Sequence, residues 1–284
     1  MKFILDVVIP VSMPTQHLGQ MQTYLSKLGQ GIRINYVLDY RHESFILDTP
    51  NLVNQSNERF FQGHFGSPGR ARNYAIEHSD SPFICFWDVD DIPVLTEALC
   101  FVKELEHSKR DIGIGNWAYV DKPDIGQGVS PYQVGTSPGI WRFFFRRQSI
   151  DSVRFTDFKW GEDQLFLGEI FAKHPRVLTT EQIVYRYAKH VPGALTTKNE
   201  NVLDLVEVTK QAIPILHSII GVARRCFKIM IWRQIYTTFK FGGIRLGLTS
   251  FCVTLARSNF RILTLGPVLH FLKRGGSNGE FKSF

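Results

Sequence analysis

Residues 83–87, Phe-Ile-Cys-Phe-Trp, are apolar without interruption and dominated by aromatic and β-branched side chains. Such a run predicts a strand buried on both faces rather than one that alternates between core and solvent. Residues 6–11, Asp-Val-Val-Ile-Pro-Val, predict another short buried strand, and Leu18, Met21, Leu25 and Leu28 follow at helical spacing before Gly29 and Gly31 stop the pattern. Residues 34–39 form a further apolar run that ends in Asp39. Strand, helix and strand at this spacing predict a parallel βαβ unit and an α/β fold. Residues 41–65 are polar and irregular and predict no element. The stretch Gly66-Ser-Pro-Gly-Arg-Ala-Arg-Asn-Tyr-Ala75 predicts a loop opening a helix to about residue 79, and Leu165, Phe166, Gly168, Ile170 and Phe171 predict a helix from about residue 162. Near the C-terminus, Ile213, Leu216, Ile219, Ile220, Ala223, Phe227, Met230 and Ile231 fall on one helical arc beside His217, Arg224, Arg225 and Lys228.

Composition sharpens this only in places. At 284 residues and 44% hydrophobic content, the chain can bury a sizeable core as one domain with or without an appendage. Its four cysteines, Cys85, Cys100, Cys226 and Cys252, lack metal-ligand spacing and read as reduced core residues of a cytosolic protein. The apolar run before Asp6 is too short for a signal peptide. The net charge of +7 is uneven: residues 205–284 hold twelve Lys/Arg against Glu207 and Glu280, a net +10, so the first 204 residues carry −3.

The acidic residues carry the chemistry. Asp88, Asp90 and Asp91 lie at the carboxyl end of the 83–87 strand, where open α/β sheets bind ligands. Three carboxylates beside an apolar wall repel one another, and a hard divalent ion shared with a diphosphate, Mg²⁺ or Mn²⁺, is the simplest compensation. A bare turn with a helix cap would need only one of them. An aspartyl-nucleophile phosphatase also ends a strand in Asp-x-Asp, with Asp88 as nucleophile and Asp90 as acid/base, but continues with a small residue and Thr where Asp91 and Ile92 stand here. Arg70 and Arg72 in the first turn of their helix oppose the dipole preference, which an anion at that helix start would explain.

These motifs come in a recognisable order. Asp6-Val-Val-Ile-Pro-Val, Gly69-Arg-Ala-Arg-Asn73, Phe86-Trp-Asp-Val-Asp-Asp91, Trp141-Arg-Phe-Phe-Phe-Arg-Arg147 with Phe155, and Trp160-Gly-Glu-Asp-Gln-Leu-Phe166 together resemble the family 2 inverting glycosyltransferases over roughly residues 5–195. The resemblance implies a GT-A-type Rossmann-like sandwich with a mainly parallel central sheet, to which a basic helical extension is added. The implied division is a catalytic domain over 1–204, with a nucleotide-binding half (1–93) and an acceptor half (94–204), and an extension over 205–284. Asp88 and Asp90 would hold the metal and the donor's diphosphate, with Asp91 adjacent. Pro10, Asp39, Arg70, Arg72 and Asn73 would line the donor. Asp163 would be the general base and Glu162 its neighbour. The family usually follows the second strand's Asp with Asp-Gly-Ser, whereas Tyr40, Arg41 and His42 follow Asp39 here. His190, after a strand resembling the one that closes the donor site, is a candidate metal or diphosphate contact.

Residues 116–140 read as a Gly/Pro-rich loop with exposed aromatics, in which Trp117, Tyr119, Tyr132 or Trp141 could stack on acceptor sugars or pack the core. The basic amphipathic arc at 213–231 suggests a helix lying on an anionic membrane, or one braced against the catalytic domain. No nucleic acid is expected, since no recognised motif accompanies the charge. The expected protein is a metal-dependent transferase using a nucleotide-sugar, a UDP-sugar by preference, and a glycan or lipid-linked acceptor at the cytoplasmic face of a cell membrane. A phosphatase and a non-catalytic membrane- or nucleic-acid-binding protein are the alternatives.

Overall fold

The structure, a computed structural model, describes residues 3–12, 15–26, 31–40, 56–189 and 201–258. It forms two compact units, one drawn from residues 1–129, 139–157 and 175–193, the other from 130–138, 158–174 and 194–284. These units interleave along the chain.

The first unit is built on a mixed, mainly parallel sheet. Its strands are β1 (Leu5–Val11), β2 (Ile32–Asp39), β3 (Glu58–Gly63), β4 (Phe83–Phe86), β5 (Ile92–Pro93), β6 (Ile112–Tyr119), β7 (Phe143–Arg146) and β8 (Val177–Tyr187). Their spatial order is β3-β2-β1-β4-β7-β6-β8-β5. The predicted βαβ unit is present: β1 pairs in parallel with β2, and α1 (Thr15–Leu25) connects them. Strand β1 also pairs in parallel with β4, so the order turns from β2 on one side to β4 on the other. The carboxyl ends of β1 and β4 therefore make the crevice where ligands bind in such sheets.

All four residues of β4 are buried, as its unbroken apolar run predicts. Alternate positions share one core: Leu5, Val7, Ile9, Phe83, Cys85 and Trp87 pack with Leu18 and Met21 of α1 and with Phe101 and Leu105 of α3 (Leu95–His107). The opposite positions Val8, Val37, Ile84 and Phe86 are equally buried, and α2 (Pro68–His78) contacts β1 and β2. Strand β3 lies within the stretch that the pattern left unassigned. It is an edge strand with only half-buried or exposed residues, Glu-Arg-Phe-Phe-Gln-Gly, so it lacks the apolar run by which buried strands are read. Under the sheet, Arg33 donates from Nε and Nη2 to Asp6 at 2.6 and 2.7 Å, and both residues are buried.

The second unit is helical. It contains α4 (Pro131–Thr136), α6 (Glu162–Ala172), α7 (Val202–Ser218) and α8 (Gly221–Ser258), while the short α5 (Arg147–Ile150) belongs to the sheet unit. The arc from Ile213 to Ile231 does not run along one helix. Helix α7 ends at Ser218, and α8 opens at Gly221 with φ +60°. A further break falls at Gly243, φ 75° and ψ −179°. Most of that arc is packed against protein: Ile213, Leu216, Ile219, Phe227, Met230 and Ile231 are buried, while Ala223 is half-buried and Ile220 is exposed. The reason is local packing. Phe227 fills the space over Gly168 of α6, where a Cβ would come within 2.5 Å of its ring, and Ile229 does the same over Gly135 of α4 at 2.7 Å. Among the described residues, no helix is long and apolar enough to cross a membrane.

Candidate active site

Trp87 carries the β4 pairing one residue further, its N–H donating to Val8 O at 3.0 Å, and the chain then leaves the sheet. A turn in which Asp91 N–H donates to Asp88 O at 3.4 Å delivers Ile92 and Pro93 to antiparallel pairing with Arg186 and Tyr185 of β8. Strand β8 closes the turn from below. The Tyr185 hydroxyl accepts the Asp88 N–H at 3.0 Å and donates to Asp91 Oδ2 at 2.9 Å. Asp91 Oδ1 accepts the Ala188 N–H at 2.7 Å. Burial, and then the charges of Asp88 and Asp90, push the Asp91 carboxyl well above the usual carboxylate range, and burial foremost pushes the Tyr185 phenol up.

Asp88 keeps about a third of its side chain open to solvent, and Arg72, whose side chain is buried, donates to its Oδ1 from Nη2 at 3.2 Å. The Arg72 guanidinium lies 5.3 Å from the centre of the Phe155 ring, which fixes its plane. Asp90 is half-buried. Arg72 thus faces Asp88, and Asp91 is buried and disfavoured as an anion by the charges of Asp88 and Asp90. A divalent cation at Asp88 and Asp90 would offset that mutual repulsion. Among the described residues, no group of three or more His, Cys, Asp or Glu converges on a point that could hold a metal alone. Two carboxylates suffice for Mg²⁺, which keeps waters and takes substrate phosphates as its remaining ligands.

The other predicted donor residues are placed as follows. Pro10 is half-buried near the end of β1, opposite Val37. Asp39 is buried at the end of β2, where its carboxylate accepts the N–H groups of Phe65 at 2.8 Å and Gly66 at 3.1 Å, so it shapes the loop entering α2. Ser67 caps that helix by accepting the Arg70 N–H at 3.2 Å. Arg70 itself is exposed and paired with Asp157. Asn73 exchanges two hydrogen bonds of 2.8 Å with the Phe155 backbone, which tethers α2 to the segment following β7. His190 lies outside the described residues.

In the helical unit, Glu162 and Asp163 occupy the first turn of α6 as predicted, where the helix dipole stabilises carboxylates. Gly161 precedes them with φ +90°, a conformation that glycine adopts without strain, and a Cβ there would come within 2.9 Å of Gln234 Nε2. Glu162 is buried and Asp163 half-buried, with Asp163 Oδ1 accepting the Gln164 N–H at 2.8 Å.

The expected loop over 116–140 is corrected. Residues up to Tyr119 belong to β6, and Trp117, Tyr119 and Trp141 are all buried. They pack on one another and on β8: Trp141 stacks on Tyr185 at 4.8 Å and 7°, and Trp117 meets Trp141 edge-on at 5.0 Å. Large π surfaces separated in sequence gain more by burying one another than by facing water. Tyr185 opens the stretch whose resemblance drew attention to His190, but sequence reasoning gave it no role, because that role depends on contacts with residues more than ninety positions away.

No protein-family profile and no curated protein matches the sequence. Solved structures do match in fold. TarS 1–349 of S. aureus in complex with UDP-GlcNAc aligns with a TM-score of 0.65 at 18% identity, over 85% of this chain and 73% of that one. The same protein in complex with UDP gives 0.62 at 16%, over 85% and 72%. The mannosyltransferase PcManGT of Pyrobaculum calidifontis, in complex with GDP-Man and Mn²⁺, gives 0.57 at 14%, over 97% and 80%. The chain thus has a glycosyltransferase fold.

Proposed function

We propose that the protein is a metal-dependent inverting glycosyltransferase. It moves a hexosyl or N-acetylhexosaminyl group from a nucleotide-sugar, a UDP-sugar by preference, to a saccharide or lipid-linked glycan in surface polysaccharide synthesis. The observation that carries this reading is the acidic turn Asp88–Asp91, held by Tyr185 at the carboxyl end of β4. The solved neighbours, found with a nucleotide, a nucleotide-sugar or a metal bound, support it. Asp88 and Asp90 would hold Mn²⁺ or Mg²⁺, which when bound offsets the charge of the departing nucleoside diphosphate. Arg72 orients Asp88, and Tyr185 with Asp91 holds the backbone that aims both ligands. Asp163 accepts the proton of the acceptor hydroxyl as its oxygen bonds to the anomeric carbon and the bond from that carbon to the diphosphate oxygen breaks. A screen of nucleotide-sugars for hydrolysis and for thermal stabilisation, with and without Mn²⁺, tests the class. Turnover of a generic aryl phosphate that disappears in Asp88→Asn would replace it with the phosphatase reading.

Any attachment to an anionic membrane rests on basic charge rather than on the buried arc. Ile213→Val and Ile231→Val should each lower stability by about 1 kcal/mol, the usual cost of one buried methyl group, and leave vesicle binding unchanged. Thermal unfolding and vesicle co-sedimentation read the two effects. Lost vesicle binding at unchanged stability would return the arc to the bilayer.

A further inference from the structure

A cavity of about 760 Å³ opens at the end of the sheet away from the acidic turn. Arg33, Arg59, Arg146 and Arg147 line it, together with Phe3 and Gln148. Arg33 is the second residue of β2, and Arg146 pairs with Phe83, the first residue of β4. Asp88 lies five positions beyond Phe83, roughly 17 Å away along an extended chain. The two places are therefore separate.

The arginines are incompletely used. Arg33 spends Nε and Nη2 on Asp6 and Asp80, and its Nη1 has no hydrogen-bond partner among the described residues. Arg147 reaches the Ile76 carbonyl through Nη1 and lies 3.5 Å from Asp151 through Nε, which leaves Nη2. Arg146 donates to the carbonyls of Arg110 at 3.1 Å and Leu105 at 3.4 Å and lies over the Phe83 ring, with no carboxylate in salt-bridge range among the described residues. Three of the four have a structural task at a helix end as well. Arg59 and Arg147 bond the carbonyls of His78 and Ile76 at the C-terminal end of α2, where cations are stabilised, and Arg59 Nη2 also lies 4.0 Å from Asp80 Oδ2. Arg146 serves the C-terminal end of α3 in the same way through the Leu105 carbonyl, but no such task explains why four guanidiniums meet around an open cavity whose lining holds a single carboxylate, Asp80.

We propose that this cavity binds a phosphate-bearing small molecule, separately from the acidic turn. Planar guanidiniums with unused N–H groups match phosphate oxygens in charge and in geometry. The volume exceeds what a phosphate fills and leaves room for an organic group against Phe3, itself 5.2 Å beneath the Arg33 guanidinium. The proposal does not depend on the transferase reading.

Calorimetric titration of the full chain with inorganic pyrophosphate, in chelator so that the acidic turn holds no metal, tests it. Binding is expected that weakens with salt and falls by at least about tenfold in Arg59→Gln/Arg146→Gln, where two charge-assisted contacts are lost. Gln148→Glu changes an exposed lining residue without removing any internal bond, and should weaken binding even if the double variant folds poorly. Asp88→Asn, and Arg176→Gln at a surface pair with Asp111 outside the lining, should bind as the parent does. Phenyl phosphate binding more tightly than pyrophosphate, with the gain lost in Phe3→Ala, identifies the occupant as a ring-bearing ester; equal binding identifies the phosphate group itself. No binding at about 10 mM pyrophosphate, a range in which even weak sites fill, overturns the proposal, as does loss in Asp88→Asn or equal loss in Arg176→Gln.

Discussion

Asp90→Asn should abolish the metal-dependent part of the stabilisation that UDP confers, and should lower sugar transfer by roughly 10²–10³-fold, the scale on which removal of one preorganised electrostatic contact acts. A ligand present at a hundred times its Kd stabilises the native state by about 2.7 kcal/mol, so the difference between Mn²⁺ and chelator should be plain in the parent protein and absent in the variant. The parent turn already strains against its own charge. Asp91 is buried, and Asp88 and Asp90 drive its carboxyl upward, so removing one anion relieves repulsion while it removes a ligand. Thermal unfolding of Asp90→Asn without ligands separates lost binding from lost folding. Thermal unfolding with UDP, with and without Mn²⁺, measures both. Equal UDP stabilisation of the parent in chelator and in Mn²⁺ would remove the metal from the proposed function.

Asp163→Asn should lower transfer by at least about 10²-fold while leaving donor affinity nearly unchanged, because Asn keeps the shape but cannot take a proton from the acceptor. Its Oδ1 can still accept the Gln164 N–H that Asp163 accepts in the first turn of α6, so the helix start is retained. Glu162→Gln should cost less in turnover. Glu162 is the more buried of the two, so its replacement should show first in thermal stability. Single-turnover rates together with donor titrations distinguish these outcomes. If Glu162→Gln is the more damaging to chemistry, the base is Glu162.

Much of the sheet was legible because buried parallel strands need continuous apolar runs and βαβ connections need a helix of fixed spacing. The 83–87 run, the Asp6–Val11 strand and the α6 start at Glu162 were all readable on those grounds. Strand β3 was not, because an edge strand covered on one side needs no such run. The loop expected at 116–140 failed for the opposite reason. Residues 120–140 are rich in Gly and Pro, and that signal masked the end of β6.

The sequence by itself determined the α/β class and the position of the acidic turn at a strand's carboxyl end. It also determined the first-turn placement of Glu162 and Asp163, because each follows from local periodicity and from residues a few positions apart. Tertiary structure alone decided which of these groups are bound to what. Tyr185 clasps Asp88 and Asp91 from β8, Arg72 reaches Asp88 from α2, and Asn73 is turned to the Phe155 backbone. It also buried Trp117 and Trp141 against β8 and closed the 213–231 arc over Gly168 and Gly135. A strand or helix shows its period in a window of ten residues, whereas the partner of a buried polar or aromatic group is chosen by packing across the whole chain, which no local window contains.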